Sequence, residues 1–187
     1  MTNDMELLTS RQWRSLYCMF LNTQGRVLFD ALIYHGEENV FLLDIDQKCS
    51  NLAKKHLSMY KIRRNVAIDL ETNYSVYGAF NPNSEVKCPE LSTQSSQPGS
   101  TFCTPESETS QSQSELKIFP DPRLSALGSR LLLDRSSEIS PHLPPHTELV
   151  PTETFTQHRL LLGVTEGVEE VPVGKVTPLE YNLGKLQ

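Results

Sequence analysis

The cysteines and histidines of the 187-residue chain do not have the spacing of a metal site or a catalytic pair. The four cysteines are Cys18, Cys49, Cys88 and Cys103. They form no C-x-x-C or C-x-x-H sequence, so the spacing expected of metal ligands is missing. His142 and His146 are four residues apart, but the prolines beside and between them exclude the helix that would align the two rings. We interpret Cys18 and Cys49, which lie in apolar patterns, as small buried hydrophobic residues.

Two carboxylates lie close together at the end of a predicted strand. Asp44 and Asp46 are two residues apart, and like charges at this separation can raise the pKa of one group, as acid–base catalysis requires. Helix capping also explains Asp46, because its carboxylate can accept hydrogen bonds from the first N–H groups of a helix. The chain has no G-x-S-x-G, no phosphate-binding Gly-rich loop and no H-E-x-x-H. The residues alone therefore predict no catalytic residues and no metal site.

Basic residues are concentrated in one part of an acidic chain. Six lie between Gln47 and Arg64, where no Asp or Glu occurs. They are Lys48, Lys54, Lys55, Lys61, Arg63 and Arg64. The whole chain has 17 Lys and Arg against 23 Asp and Glu, which excludes a protein-wide basic footprint for nucleic acid or anionic membrane. The local positive face suits an acidic partner, although a solvated helix face explains the same pattern more simply.

The chemistry-bearing residues fall on elements that the apolar pattern predicts. Two apolar runs, 16–21 and 27–34, flank a turn at Asn22–Gly25 and predict a β-hairpin buried on both faces. A third strand over 40–45 is followed by an amphipathic helix from about Gln47 to Arg63, with Asp46 as its cap. No apolar run approaches the roughly 20 residues that span a bilayer.

Later elements complete an α+β arrangement, in which helices pack on one face of a mainly antiparallel sheet. The further predicted strands cover 66–69, 75–80, 116–119 and 130–133. A helix is predicted over 153–162, with Thr152 as its cap and Gly163 at its end.

A polar segment interrupts this arrangement. Residues 92–115 contain eight Ser, four Thr and four Gln, and such a composition buries too little apolar surface to offset the entropy of ordering. We interpret 82–115 as a disordered insert between two parts of one domain, 1–81 and 116–187.

Six short strings, taken in order, resemble a known family. They are Thr2-Asn3-Asp4, residues 20–30, residues 60–66, Asp121-Pro122-Arg123, residues 158–164 and residues 178–183. Together they resemble the mitochondrial iron–sulfur cluster assembly factors of the YgfZ type. This family is often labelled as transferases and is related to the folate-binding aminomethyltransferase of the glycine cleavage system. The resemblance covers nearly all of the chain except the insert.

The resemblance implies an accessory role in maturing four-iron four-sulfur proteins in the mitochondrial matrix, with secondary effects on haem synthesis. It implies binding to A-type iron–sulfur carrier proteins, and we assign the docking surface to Lys54, Lys55, Lys61, Arg63 and Arg64. It also implies an aminomethyltransferase-like folate-binding fold, incomplete here, in which tetrahydrofolate is the possible cofactor. We expect protein binding rather than catalysis. One alternative is a tetrahydrofolate-dependent aminomethyl or one-carbon transferase, and the other is a truncated form without function.

The chain departs from the family pattern in two places. The family signature Lys-Gly-Cys-Tyr-x-Gly-Gln-Glu, with a functional cysteine, follows the last string, whereas here Leu183 is followed only by Gly-Lys-Leu-Gln. We therefore expect a chain shortened at both ends. In the folate cleft, the resemblance assigns Asp30, Arg159 and Glu180. The glutamate that is expected to hold the pterin ring is replaced by Leu161, a loss of about 1.5–3 kcal/mol, or roughly ten- to a hundredfold in affinity.

Overall fold

The computed structural model describes residues 6–9, 15–36, 40–82 and 116–181. The helices are α1 (Glu6–Thr9), α2 (Ser50–Tyr60) and α3 (Thr152–Leu161). The strands are β1 (Ser15–Leu21), β2 (Val27–His35), β3 (Phe41–Asp44), β4 (Tyr74–Ala79), β5 (Lys117–Pro120) and β6 (Ser129–Asp134). Single 3₁₀ turns cover Gln47–Cys49, Ser125–Leu127, Ser140–His142 and Pro178–Tyr181.

The six described strands divide between two antiparallel sheets. The first has the order β1-β2-β3, and the second has the order β4-β6-β5. The predicted α+β class is confirmed, but the strands form two sheets instead of one. The hydroxyl of Ser15 in the first sheet donates to the carbonyl of Pro120 in the second at 2.6 Å, so the sheets are directly joined.

The β1–β2 hairpin is confirmed and is buried on both faces. The Asn22 side chain accepts hydrogen bonds at 2.9 Å from the N–H groups of Gln24 and Arg26. Gly25 has a φ of +76°, a left-handed conformation that glycine adopts without steric cost. Burial of both faces explains why the two strands read as continuous apolar runs without polar alternation.

The hairpin separates two apolar clusters. One face packs against the second sheet and the residues after α3, and joins Tyr17, Met19, Val27, Leu32, Tyr34, Phe119, Leu127, Leu132, Val164 and Val171. The other face packs beneath α1 and α2, and joins Leu8, Leu16, Cys18, Phe20, Phe29, Ala31, Ile33, Cys49 and Ala53. The prediction that Cys18 and Cys49 are buried core residues is confirmed, and both are free thiols.

The predicted helix over 47–63 has different bounds. The Asp46 carboxylate caps its start by accepting from the Lys48 N–H at 2.8 Å, as predicted, but the first turn is 3₁₀. The helix ends at Tyr60 instead of Arg63. The Lys61 N–H closes the last turn on Leu57, and Ile62 then adopts a φ of +48°, which a continuing helix cannot contain.

Two other predictions, a strand over 66–69 and the cap of α3, are wrong. Residues 66–69 form no strand, because strand propensity needs a neighbouring strand and none among the described residues pairs with them. Thr152 is the first residue of α3 and not its cap, since Pro151 occupies the cap position without a side-chain hydrogen bond. Gly163, at a φ of +74°, follows the helix end as predicted.

The predicted insert lies outside the described residues except for Pro82, as do Cys88 and Cys103. Within the described ranges, no helix combines the length and the apolar character that crossing a bilayer requires.

Glycine at position 128 is required by two independent constraints, which gives a test of the second sheet. Its φ is +73°, and a Cβ added there would lie 2.1 Å from the carbonyl oxygen of Ala79. We expect Gly128→Ala to lower the free energy of unfolding by about 3–5 kcal/mol, from backbone strain and overpacking together. Urea denaturation followed by circular dichroism measures this.

Gly25→Ala is the matched control, because Gly25 has the same φ sign but nothing within 4 Å of the added Cβ. It should cost only about 1–2 kcal/mol, the strain alone. Equal losses for the two variants would contradict the close approach of residues 128 and 79.

Candidate functional site

A cavity of about 170 Å³ lies where β2 and β3 meet the loops around residues 123 and 166. Its lining consists of Tyr17, Asp30, Ala31, Leu32, Asp44, Ile45, Asp46, Arg123, Glu166 and Gly167. Four of these residues carry carboxylates and only one carries a cation. The cavity is therefore rich in hydrogen-bond acceptors, and its charge depends on which carboxyls are ionised.

Two lining carboxyls are held in surroundings that favour their neutral form. Asp30 accepts from the Gly167 N–H at 3.1 Å and from the Tyr17 hydroxyl at 3.4 Å. Burial raises the pKa of Asp30, and the nearby charge of Glu166 raises it further. Burial likewise raises the pKa of Asp44, which accepts from the Tyr34 hydroxyl at 3.1 Å.

The third carboxylate, Glu166, is held ionised by three arginines. Arg123 Nη1 lies 2.6 Å from Glu166 Oε2, Arg130 Nη2 contacts the same oxygen, and Arg159 Nε lies 3.8 Å from it. We call Arg123, Arg130 and Arg159 the arginine cluster; all three side chains are buried. Burial alone would raise the pKa of Glu166, but the charges of Arg123 and Arg130 hold it below its ordinary value.

Other carboxylates orient the arginine cluster. Arg123 donates to both oxygens of Asp121, at 2.9 and 2.7 Å, and Arg159 donates to both oxygens of Glu170, each at 2.7 Å. Such paired hydrogen bonds fix the plane of a guanidinium as well as its position. The guanidinium planes of Arg123 and Arg159 are therefore fixed, and Glu166 sits where three buried cations converge.

The loop that carries Glu166 closes one side of the cavity. The Val168 N–H donates to Asp46 at 3.1 Å, and Lys48 contacts Glu169. Gly167 has a φ of +78°, and a Cβ there would come within 2.9 Å of Asp46. Asp46 thus has two functions, since the carboxylate that caps the turn before α2 also anchors this loop.

The site offers carboxylates, a guanidinium and a phenol, but its lining, among the described residues, contains no Cys, Ser or His. Neither Cys18 nor Cys49 lines the cavity. Burial raises the pKa of the Cys18 thiol to about 12 and also raises that of Cys49, so both are protonated and unreactive near neutral pH. No group of three or more His, Cys, Asp or Glu side chains in the described part of the chain is placed to hold a metal ion. The arrangement suits hydrogen bonding to a ligand or partner.

The residues predicted for a folate cleft lie in different surroundings. Asp30 lines the cavity, and Arg159 reaches it only through Glu166. Glu180 is exposed in the last 3₁₀ turn, where it accepts from the N–H and hydroxyl of Thr177 at 2.6 and 3.0 Å. Leu161 is 87% exposed and does not line the cavity.

The two carboxylates that lie close together in the sequence both reach the site, whereas the sequence does not identify its other members. Asp44 and Asp46 both line the cavity. Tyr17 and Glu166 were missed, and Arg123 was noted only within the string Asp121-Pro122-Arg123. The sequence contains several other tyrosines, arginines and glutamates, and nothing in the pattern distinguishes these three. The spacing of Arg123 and Glu166 does not predict their ion pair.

The predicted partner-binding residues lie on the opposite side of the hairpin from the second sheet, on and after α2. Lys54, Lys55, Lys61, Arg63 and Arg64 are all exposed. Lys54 lies 3.8 Å from Asp69, and Lys61 donates to the carbonyl of Val66 at 2.8 Å. They form no part of the cavity.

Comparison with known proteins identifies homologues of the chain. No family model matches it. The "iron-sulfur cluster assembly factor IBA57, mitochondrial" of Homo sapiens is 33% identical over 174 residues, and that of Mus musculus is 33% identical over 180 residues. A homologue of the same name from Neurospora crassa is 29% identical over 175 residues. These homologues confirm the resemblance to mitochondrial iron–sulfur cluster assembly factors.

The match covers 91% of this chain but only 44% of the human and mouse proteins. The chain therefore spans less than half the length of these curated relatives, and the match extends through both parts of the fold described above.

The pKa of Glu166 is lowered and that of Asp30 is raised. Replacing each by its neutral amide should therefore change the free energy of unfolding in opposite directions. Because the pKa of Glu166 is lowered from its ordinary 4.5, its ionised form stabilises the fold above that pH, and this contribution is lost as the pH falls. Glu166→Gln should cost about 2 kcal/mol at pH 7, less than a fully buried pair because the side chain is 35% exposed. Urea denaturation at pH 4 and pH 7 measures the difference.

Asp30→Asn is the counterpart. Because burial raises the pKa of Asp30 above 3.8, ionisation at neutral pH opposes folding. The asparagine should increase the free energy of unfolding at pH 7, and the gain should vanish as the pH falls to 3.8. A loss of stability at pH 7 from Asp30→Asn, or none from Glu166→Gln, would contradict this charge arrangement.

Proposed function

We propose that the chain serves as an accessory factor in the maturation of mitochondrial iron–sulfur proteins and that it acts by binding other proteins. The observation that carries the proposal is the 33% identity, over 91% of the chain, to proteins named as mitochondrial iron–sulfur cluster assembly factors. The chain spans less than half the length of those relatives. The activity of the whole proteins is therefore part of this proposal. By the same homology we assign it to the mitochondrial matrix.

Two structural features support binding over catalysis. No described Cys, Ser or His lines the cavity, and the two described cysteines are buried thiols with raised pKa values. The N–H groups of the arginine cluster donate to the carboxylates of Asp121, Glu166 and Glu170 inside the protein. Such a network stabilises a fixed conformation of the protein, and a partner protein would bind to the surface of that conformation.

The partners that this role implies are A-type iron–sulfur carrier proteins, which would bring the cluster as cargo. The proteins whose maturation would depend on the chain are four-iron four-sulfur enzymes. In this proposal the cluster remains on the carrier.

A tetrahydrofolate-dependent transferase is the second candidate, because Asp30 lines a cavity. The proposed contacts are Asp30 and Arg159 in the interior and Glu180 at the surface. A volume of about 170 Å³ lies below the roughly 300–1,000 Å³ of ordinary ligand pockets, so the cavity would have to open to admit the cofactor. This size favours the first candidate.

The assembly role predicts direct binding to an A-type carrier. Purified chain, mixed with the purified carrier in cluster-free and cluster-loaded forms, should give saturable binding at micromolar concentrations by biolayer interferometry. Gly25→Ala, which leaves the site unchanged, is the control and should bind equally. Absence of binding for this chain and for a chain extended to the full length of the relatives would overturn the docking role.

Isothermal titration with tetrahydrofolate separates the two candidates. The assembly role predicts no saturable heat at millimolar cofactor. Saturable heat that disappears in Asp30→Asn would favour the transferase, because the substitution removes the ionisable group while keeping the shape of the cavity wall.

A further inference from the structure

The end of α2 and the turn after it expose apolar side chains among unpaired cations. Met59 is 64% exposed, Tyr60 is 54% exposed and Ile62 is 79% exposed. Lys55, about one helical turn before Met59, and Arg63 and Arg64, which follow Ile62, are also exposed. We call these six residues the α2-end surface. Exposed apolar groups of this size inside a charged rim are the composition of a protein-binding patch.

The conformation of Ile62 is the unusual feature of this surface. Its φ of +48° lies in the left-handed region, which β-branched residues rarely adopt. The Lys61 N–H donates to the Leu57 carbonyl at 3.0 Å and the Arg64 N–H donates to the Lys61 carbonyl at 2.8 Å, so hydrogen bonds hold the backbone before and across the strained residue. A glycine or asparagine would fit this turn without strain. The side chain of Ile62 is therefore held outward at a cost to the fold that no internal packing offsets.

The charge of the region identifies the partner chemistry. Residues 47–70 contain six basic residues and one carboxylate, Asp69, whereas the whole chain has a net charge of −6. Lys54 lies 3.8 Å from Asp69, so Lys55, Arg63 and Arg64 have no ion-pair partner among the residues that the structure describes. Complementarity therefore calls for carboxylates on the partner, arranged around an apolar recess for Ile62 and Met59.

The same observations disfavour two other anionic partners. A membrane-surface helix presents a continuous apolar face to lipid, but α2 turns Ala53 and its neighbours Leu52 and Leu57 into the core beneath it. A nucleic-acid backbone would use the cations but has no recess for an aliphatic side chain, and the acidic remainder of the chain repels it.

We propose that the α2-end surface docks an acidic protein that carries an apolar recess, with Ile62 as the anchor and Arg63 and Arg64 as the charged rim. The proposal rests on the proposed function, in which the partner is an A-type carrier. It deepens that function by assigning the contact to the end of α2 and the turn after it, remote in the chain from the arginine cluster.

The test compares charge reversals on and off this surface. Arg63→Glu/Arg64→Glu should weaken carrier binding by about tenfold or more, since two attractive contacts become repulsive. The matched control is Arg135→Glu/Lys175→Glu, which makes the same charge change at exposed positions outside the surface and should alter binding little. Binding of the unmodified chain should also weaken as salt increases.

Ile62→Gly should change stability and carrier binding in opposite directions, which a purely structural role of Ile62 would not do. Relief of the left-handed strain should raise the midpoint of thermal unfolding, while loss of the anchor should weaken carrier binding by about tenfold. A variant that is more stable but binds less cannot be explained by misfolding. Unchanged carrier binding in both Arg63→Glu/Arg64→Glu and Ile62→Gly would overturn the proposal while leaving the assembly role intact.

Three further probes separate failure of the surface from failure of the function. They are a synthetic acidic helix of glutamate and leucine, phosphatidylcholine–cardiolipin vesicles and a duplex DNA of mixed sequence. If the carrier does not bind at all, the proposed function fails, and the surface stands only if the acidic helix binds in a manner that requires Ile62 and Arg63. Vesicle or DNA binding that depends on Arg63 and Arg64, without such dependence for the carrier or the helix, would overturn the proposal.

Discussion

The carboxylate of Glu166 is the group on which the interior of this protein depends. Three buried arginines approach it from a loop, a strand and a helix, and no other described carboxylate contacts all three. If that one negative charge were removed, the guanidinium groups would keep their contacts with Asp121 and Glu170. The three positive charges would then repel one another where Glu166 now separates them. Through these contacts Glu166 links the loop before β6, the strand β6 and α3, in addition to the apolar packing between them.

The same balance determines the character of the cavity. Because Glu166 is kept ionised, its charge disfavours ionisation of Asp30 across the cavity, and burial acts in the same direction. The wall therefore combines an ionised carboxylate with carboxyls whose pKa values are raised. The exposed cations and apolar groups at the end of α2 lie apart from this cavity, since α2 packs on the other face of the hairpin.

Local pattern was sufficient where an element is decided by neighbouring residues. The hairpin was predictable because two apolar runs and Gly25 specify it within 20 residues, and the cap at Asp46 was predictable for the same reason. Prediction failed where the outcome depends on a distant partner. Residues 66–69 have strand propensity but no strand beside them, and β4 pairs with β6 across the insert. Arg123 and Glu166 are 43 residues apart, so their contact has no sequence signal.

Rescue of cells that lack the assembly factor tests the central claim, that this chain assists iron–sulfur maturation by binding, most directly. The chain would be delivered to the matrix by an added presequence, and aconitase activity would be measured at equal protein abundance. The account predicts that aconitase activity rises above that of the deficient cells and that the rise is lost when Arg63 and Arg64 are reversed in charge. No rise, with folded chain present in the matrix, would contradict it.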